Sequence, residues 1–298
     1  MGGNRIEFAQ FGHFDSFDII RSATSMIGVA EVDLPTPIAT GLKSMYYVDS
    51  DVVRGNTYYY VVRVWRSASS FISSELVVIA DKDDHWSLVT SLLHFNGVNN
   101  LNIFADKKGF NWTAVGNAKI LINDHAFGGT SGYFDGVGDY IYGPQSLMQF
   151  GIGDFTVEGF FTIESHQPSA AADITLVGYG LSPSNGLVFM LSKTDGTPGF
   201  WDGVSFFSTS VPLSTNVRRH IAYERHNSTL TCYIEGVGYI LSPSYTKVVN
   251  ANSVVRAGGA YYGGNESYFK GYMDELRITS HARYRGNFTP PNKQFMDW

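Results

Sequence analysis

F-G-G-T-S-G-Y-F-D-G-V-G-D-Y-I-Y, Phe127 to Tyr142, followed after a short loop by D-F-T-V-E-G-F-F-T-I, Asp154 to Ile163, is the stretch that decides the fold. From Gly132 to Tyr142, aromatic and branched residues flank a tight turn, Asp135-Gly136-Val137-Gly138-Asp139. Glycine lets the backbone turn where a side chain would clash, and aspartate supports such turns with its own carboxylate. From Phe155 to Ile163, the residues Phe155, Val157, Gly159, Phe161 and Ile163 alternate with Thr156, Glu158, Phe160 and Thr162. That period of two predicts a strand with one face in a core and the other partly solvated. G-Y-M-D-E-L-R-I-T, Gly271 to Thr279, repeats the idea.

The composition agrees with strands. The 298 residues have room for one large β domain or two ordinary ones. Hydrophobic residues make up 44% and aromatic residues 15%, which supplies a core and argues against wholesale disorder. Charged residues are only 16%, and there are 32 glycines, a balance that favours an all-β chain with many turns. A net charge of −6 gives no electrostatic case for binding nucleic acid or an anionic membrane. No apolar run reaches the roughly 18 residues of a membrane span, so no membrane insertion is expected. Met1-Gly2-Gly3-Asn4-Arg5 is not followed by the apolar core of a signal peptide. Cys232 is the only cysteine, which excludes an intrachain disulfide, and L-T-C-Y-I places it in a buried strand.

Arg5 to Ala80 reads as a small β-sandwich. Strands are expected in Phe14–Ser22, in Thr40–Val53, after the turn Arg54-Gly55-Asn56 and in Ser73–Ala80. The third of these places Tyr58, Tyr60, Val62 and Val64 on one face. Asp81 to Trp86 reads as a solvated acidic linker. Leu88 to Pro291 reads as a second unit. Its strands are expected at Leu92–Phe95, Ile174–Tyr179, Leu187–Ser192, Gly199–Ser208, Arg219–His226, Thr229–Glu235, Val254–Ala257 and Tyr272–Ile278, besides the decisive pair. Asn99 to Asn117 reads as a polar loop, and Asn227-Ser228 closes a hairpin. About a dozen antiparallel strands without a long helix imply a two-sheet jelly roll.

Two family resemblances follow from these motifs. Thr57-Tyr58-Tyr59-Tyr60-Val61-Val62-Arg63-Val64 with the turn before it, and Phe17-Asp18-Ile19-Ile20-Arg21-Ser22, resemble a fibronectin type III domain over residues 1–82. The first strand of that family is not readable, so the resemblance implies a truncated domain or one completed by a neighbouring chain. Residues 88–291 resemble a laminin-G-like, concanavalin A-like jelly roll, with residues 292–298 as a tail. The motifs stand in family order: Leu92-Leu93-His94-Phe95-Asn96-Gly97, Gly132 to Tyr140, Asp154 to Phe160, Arg219-His220-Ile221-Ala222, Tyr233-Ile234-Glu235-Gly236, and Gly271 to Ile278. The closing block, D-E-L-R-I-T, then Ala282-Arg283-Tyr284 and Asn287-Phe288-Thr289-Pro290-Pro291, is similar to laminin-G-like domains of tailed-bacteriophage structural proteins. The resemblance implies a virion protein of the tail or surface, made in the host cytoplasm. Its implied partners are other virion proteins, copies of itself and host-surface polysaccharide.

The chemistry expected is binding rather than catalysis. Retaining glycosidases on this fold need two carboxylates about 5 Å apart. The familiar E-x-D-x-x-E is absent from the second unit, and Asp274-Glu275 on a regular strand would point to opposite faces. A glycan hydrolase is the alternative this leaves, and an architectural virion subunit without a ligand is the other. No zinc, phosphate-loop or nucleophile-elbow motif is present. The jelly-roll resemblance implies one Ca²⁺ as the only candidate cofactor, held by Asp274 and the backbone at Asn96 and Gly97, since calcium takes oxygen ligands. Sugar rings stack on aromatic faces. Trp201 within Gly199–Gly203, and Tyr261, Tyr262 and Asn265 in Tyr261-Tyr262-Gly263-Gly264-Asn265, are therefore the candidate glycan-binding residues.

Overall fold

The computed structural model describes residues 4–9, 13–53, 56–80, 83–167, 172–180, 186–262 and 265–297, with the backbone alone for Tyr261, Tyr262 and Asn265. The chain is all-β, and it divides into one unit of Met1–Trp86 with Met296–Trp298 and a second of Ser87–Phe295. Among the described residues, the helical elements are short 3-10 turns at Glu31–Asp33, Trp86–Leu88 and Gln145–Met148.

In the first unit, Ser16–Ser22 and Thr57–Arg66 pair along their length. Ala39–Leu42 flanks the former, and Ser69–Ile72 and Leu76–Ile79 share the free edge of the latter. Asn4–Glu7 and Tyr46–Asp49 form a separate antiparallel pair. Alternation sends Phe17, Ile19, Tyr60 and Val62 to one core with Ile6, where Tyr58 and Val64 also pack. Asp49 fixes this core from below: its carboxylate accepts the Tyr60 hydroxyl at 2.7 Å and pairs with Arg21 at 3.0 Å. Arg54 and Gly55 lie outside the described residues.

The second unit is built on two sheets. Sheet I runs Phe206–Ser208, Pro198–Trp201, Leu187–Leu191, Ile174–Tyr179, Val255–Ala257, Tyr140–Gly143, Asn111–Val115 and Phe104–Ala105. Sheet II runs Lys119–Leu121, Ser131–Asp135, Lys270–Thr279, Phe155–Ile163, Arg218–His226, Thr229–Ile234 and Val237–Ser242, with Val89–Leu93 also against Lys270–Thr279. Phe155, Val157, Phe161 and Ile163 of sheet II meet Ile174, Leu176, Phe189 and Phe200 of sheet I in one continuous core. Removing that much apolar surface from water drives the two sheets together.

Local chemistry sets the turns. Gly136 and Gly138 both take positive φ, and the Asp139 carboxylate accepts the amides of Asp135 and Asn117, which ties the turn to its neighbour. At the hairpin, Asn227 and Ser228 have φ of 47° and 65°, the left-handed pair of a type I′ turn.

Three expectations change. The segment 99–117 is not a polar loop throughout: Phe104–Ala105 and Asn111–Val115 are strands. Trp112 is buried between exposed Asn111 and Thr113, and its indole N–H donates to buried Asp106 at 3.1 Å. Polar outward residues hid a period of two. Second, Phe155–Ile163 is buried on both faces, because residues 281–295 cover its outer side. Third, Asp274 and Glu275 do not point apart. A bulge sets Gly159 against two residues, with Glu275 at φ 51°, so Met273 and Leu276 face the core and both acids face outward.

Candidate functional site

The outer face of sheet II gathers a buried cluster of titratable side chains. Glu158 receives Arg277 in a forked pair at 2.8 and 3.0 Å, His220 at 3.1 Å and the Tyr284 hydroxyl. Burial favours its protonated form, but Arg277, His220 and Arg283 outweigh that and hold its carboxyl well below the usual range. On the next strand Glu224 accepts the amides of Tyr284 and Arg285, each at 2.8 Å. Glu275 lies against His94 at 2.8 Å and accepts the Phe295 amide at 2.9 Å. The aromatic rings of Tyr284, Phe288 and Phe295 close over these groups. The strands thus bring carboxylates together, which the sequence reading did not foresee, but each holds the covering segment in place and none faces an open groove.

Asn96, Gly97 and Asp274 do converge on one loop, residues 123–130. Both Asp274 oxygens accept backbone N–H groups: Ala126 at 2.7 Å and Phe127 at 3.0 Å on one, Glu275 at 2.9 Å on the other. Burial, offset in part by those amides and reinforced by Glu275, pushes the Asp274 pKa up to about 7. The Asn96 side-chain oxygen packs onto Gly128, at φ 68°, where a Cβ would have to sit. The Gly97 amide donates to Thr130 at 3.2 Å. Calcium needs six or more oxygens with ionised carboxylates among them. Three backbone amides already hold the Asp274 carboxyl, so a calcium ion there would have to share or displace them. Among the described residues no cluster of three His, Cys, Asp or Glu stands ready for a metal.

Trp201 is half-buried and packs on Val188, Met190 and Ala260, on the face of sheet I away from the main core. Tyr261, Tyr262 and Asn265 belong to the hairpin Gly259–Tyr262 with Asn265–Tyr268, and their side chains lie outside the described residues.

An open cleft of about 390 Å³ lies instead where sheet I strands end. Tyr179 closes one strand, Asp202 follows another, and the segment Tyr245–Asn252 supplies Tyr245, Lys247, Asn250 and Asn252. Asp202 is buried, with one oxygen accepting the amides of Val204 and Ser205 at 2.9 and 2.7 Å. Its other oxygen meets the Lys247 ammonium at 2.7 Å. Burial opposes its ionisation, but Lys247 and the two amides prevail, and the carboxyl lies below its ordinary pKa. Burial raises the Tyr179 hydroxyl to about 12 and that of Tyr245 further, so both are neutral walls at pH 7. Behind them Arg225, fully buried, ties the cleft together. Its guanidinium donates to the carbonyls of Gly151, Gly153 and Lys247 and lies 5.9 Å from the Tyr245 ring centroid. The sequence reading singled out Gly199–Gly203 for its tryptophan; the adjacent Asp202 is the residue that reaches the cleft. The Asp202-Gly203 turn was the available signal.

No curated protein matches the chain. Domain 4 of AbnA, an extracellular GH43 arabinanase of Geobacillus stearothermophilus solved with arabinotriose, is 17% identical with a TM-score of 0.52, over 65% of this chain and 93% of that one. The binding domain of Paraclostridial mosquitocidal protein 1 is 12% identical with a TM-score of 0.48, over 67% of this chain and 50% of that one. Trypanosoma rangeli sialidase, solved with sialic acid, is 13% identical with a TM-score of 0.49, over 78% and 42%. This chain therefore spans half or less of the latter two, and at these identities the likeness is one of fold. A family model for the concanavalin A-like lectin/glucanases superfamily matches residues 135–285, just over half of the sequence, from the Asp135 turn through the Asp274-Glu275 bulge to the covering segment. By its two-sheet architecture and this match, the chain belongs to the concanavalin A-like lectin/glucanase superfamily.

Proposed function

We propose that the second unit binds polysaccharide in the cleft formed by Tyr179, Asp202, Tyr245, Lys247, Asn250 and Asn252, and does not hydrolyse it. The observation that carries this reading is the cleft itself: exposed Lys247, Asn250 and Asn252 converge over two buried tyrosines, at a volume within the usual range of small-molecule sites. A neighbour of the same fold that holds arabinotriose supports the ligand class. Hydrolysis by the usual route needs two carboxylates across one bond. Among the described residues Asp202 is the one acid lining this cleft, and it is tied to Lys247.

The proposed setting is a bacteriophage virion, with other virion proteins and copies of this chain as neighbours. That setting rests on the closing block from Asp274 to Pro291. The first unit, proposed as fibronectin type III-like, would serve as the mount. Affinity electrophoresis through gels containing bacterial polysaccharides tests the function. Retardation of the parent, lost in Asp202→Asn and retained in Trp201→Ala, is expected, with the polysaccharide chains keeping their length. Steady release of reducing ends by pure protein would replace binding with hydrolysis.

A further inference from the structure

The cleft's polar groups are unevenly used. Asp202, its only acidic lining residue among the described ones, has both oxygens engaged, by two amides and by Lys247. The Asn250 side-chain oxygen accepts the Gly151 amide at 2.9 Å, which leaves that residue its NH₂ end. Lys247 gives Asp202 one of its three N–H groups, and its side chain remains 46% exposed. Asn252 stands exposed at the rim. What this cleft still offers a ligand is therefore chiefly hydrogen-bond donors.

The charges around the cleft balance in pairs. Arg225 is wholly buried behind Tyr179 and Tyr245, and the acceptors around it are backbone carbonyls of Gly151, Gly153 and Lys247. Carbonyls satisfy its N–H groups but do not cancel its charge. The nearby carboxylate of Asp154 is engaged by His226 and by the Asn227 amide, each within 3.1 Å. The Asp154 carboxylate offsets Arg225, as Asp202 offsets Lys247, so any preference rests on the exposed Lys247 ammonium and the free donors beside it. An ionised carboxylate accepts hydrogen bonds only, and binds charged donors more strongly than a hydroxyl does.

We infer that the cleft selects acidic saccharides, holding a sugar carboxylate with Lys247 and the side-chain amides of Asn250 and Asn252. This rests on the glycan-binding reading above and names its ligand class. The Lys247–Asp202 pair positions the ammonium, and Arg225 holds the Lys247 backbone through its carbonyl.

The test uses a panel of bacterial capsular polysaccharides rich in uronic acids, each as isolated and after carbodiimide activation and borohydride reduction of its carboxylates to alcohols. The 298-residue chain is titrated with fragments of each by calorimetry at low and high salt. Acidic forms are expected to bind, with affinity falling about tenfold on reduction, the loss of roughly one charge-assisted hydrogen bond. Lys247→Met is expected to remove the preference, Lys247→Arg to keep it, with circular dichroism confirming the fold of both. If reduced and native forms bind equally, or Lys247→Met keeps the preference, the inference falls while glycan binding stands. If no polysaccharide binds in either form, both fall.

Discussion

The outer face of sheet II and the end of sheet I carry similar side chains to opposite ends. On sheet II, Glu158, Glu224, Glu275, His94 and His220 look catalytic by residue type, yet all five are buried beneath residues 281–295. Each carboxylate there receives backbone amides or cations from its own chain. At the end of sheet I, one aspartate, one lysine and two asparagines stand around an open volume with donors to spare. Chemistry-bearing residues mark a site only when the fold leaves them a vacancy to face. Buried ion pairs need near-complete hydrogen bonding to be tolerated, and the sheet II face meets that condition by enclosing itself.

The largest effect expected is on that enclosed face. Glu158→Ala leaves Arg277, Arg283 and His220 buried without their shared anion, and removing one partner of such a set costs about 3–5 kcal/mol. A drop in melting temperature on the order of 10 °C should follow. A fall of only a degree or two would mean that the network contributes little and that the face is more open than described.

A pH profile sharpens the contrast between neighbouring acids. Glu158 has a depressed pKa, so its contribution is present above its ordinary 4.5 and is lost as pH falls below that value. Asp274 runs the other way. Its folded pKa of about 7 exceeds the ordinary 3.8, so the folded state binds the proton more tightly. Its contribution is full below 3.8 and is lost as pH rises through about 7. Asp274→Asn should flatten the slope of stability between those values while leaving the acid limb in place. An unchanged slope would show that Asp274 is ionised in the folded protein.

The smallest effect concerns metal. Because three backbone amides already hold Asp274, the chelator EDTA should leave the melting curve of the parent unmoved. A clear drop, restored by added calcium, would mean that Asn96, Gly97 and Asp274 rearrange around an ion.

Much of the fold was legible because alternation is local. Ile174–Tyr179 and the Asn227-Ser228 hairpin were readable from the order of side chains alone. The cover over sheet II was not. Thr156, Glu158 and Thr162 are polar, and polarity at a strand's outward positions reads as solvent until the chain 120 or more residues later is placed on it. Of the site, Asp202 lay within a segment chosen for Trp201, whose ring proved half-buried on Val188 and Met190. Tyr179, Tyr245, Lys247 and Asn252 carried no motif. They meet only because three strand ends and one loop stop at the same edge, a fact of topology rather than of local pattern.

The most direct test of a cleft at the end of sheet I is to see where a ligand lands. Capsular polysaccharide fragments titrated into ¹⁵N-labelled protein should shift the amide resonances of Gly186, Val204, Ser205, Asn250 and Asn252, which surround the cleft. The amides of Ala260 and Ser267, behind Trp201 on the other side of the sheet, should stay in place. Shifts confined to that second group, or none with any fragment, would contradict the account.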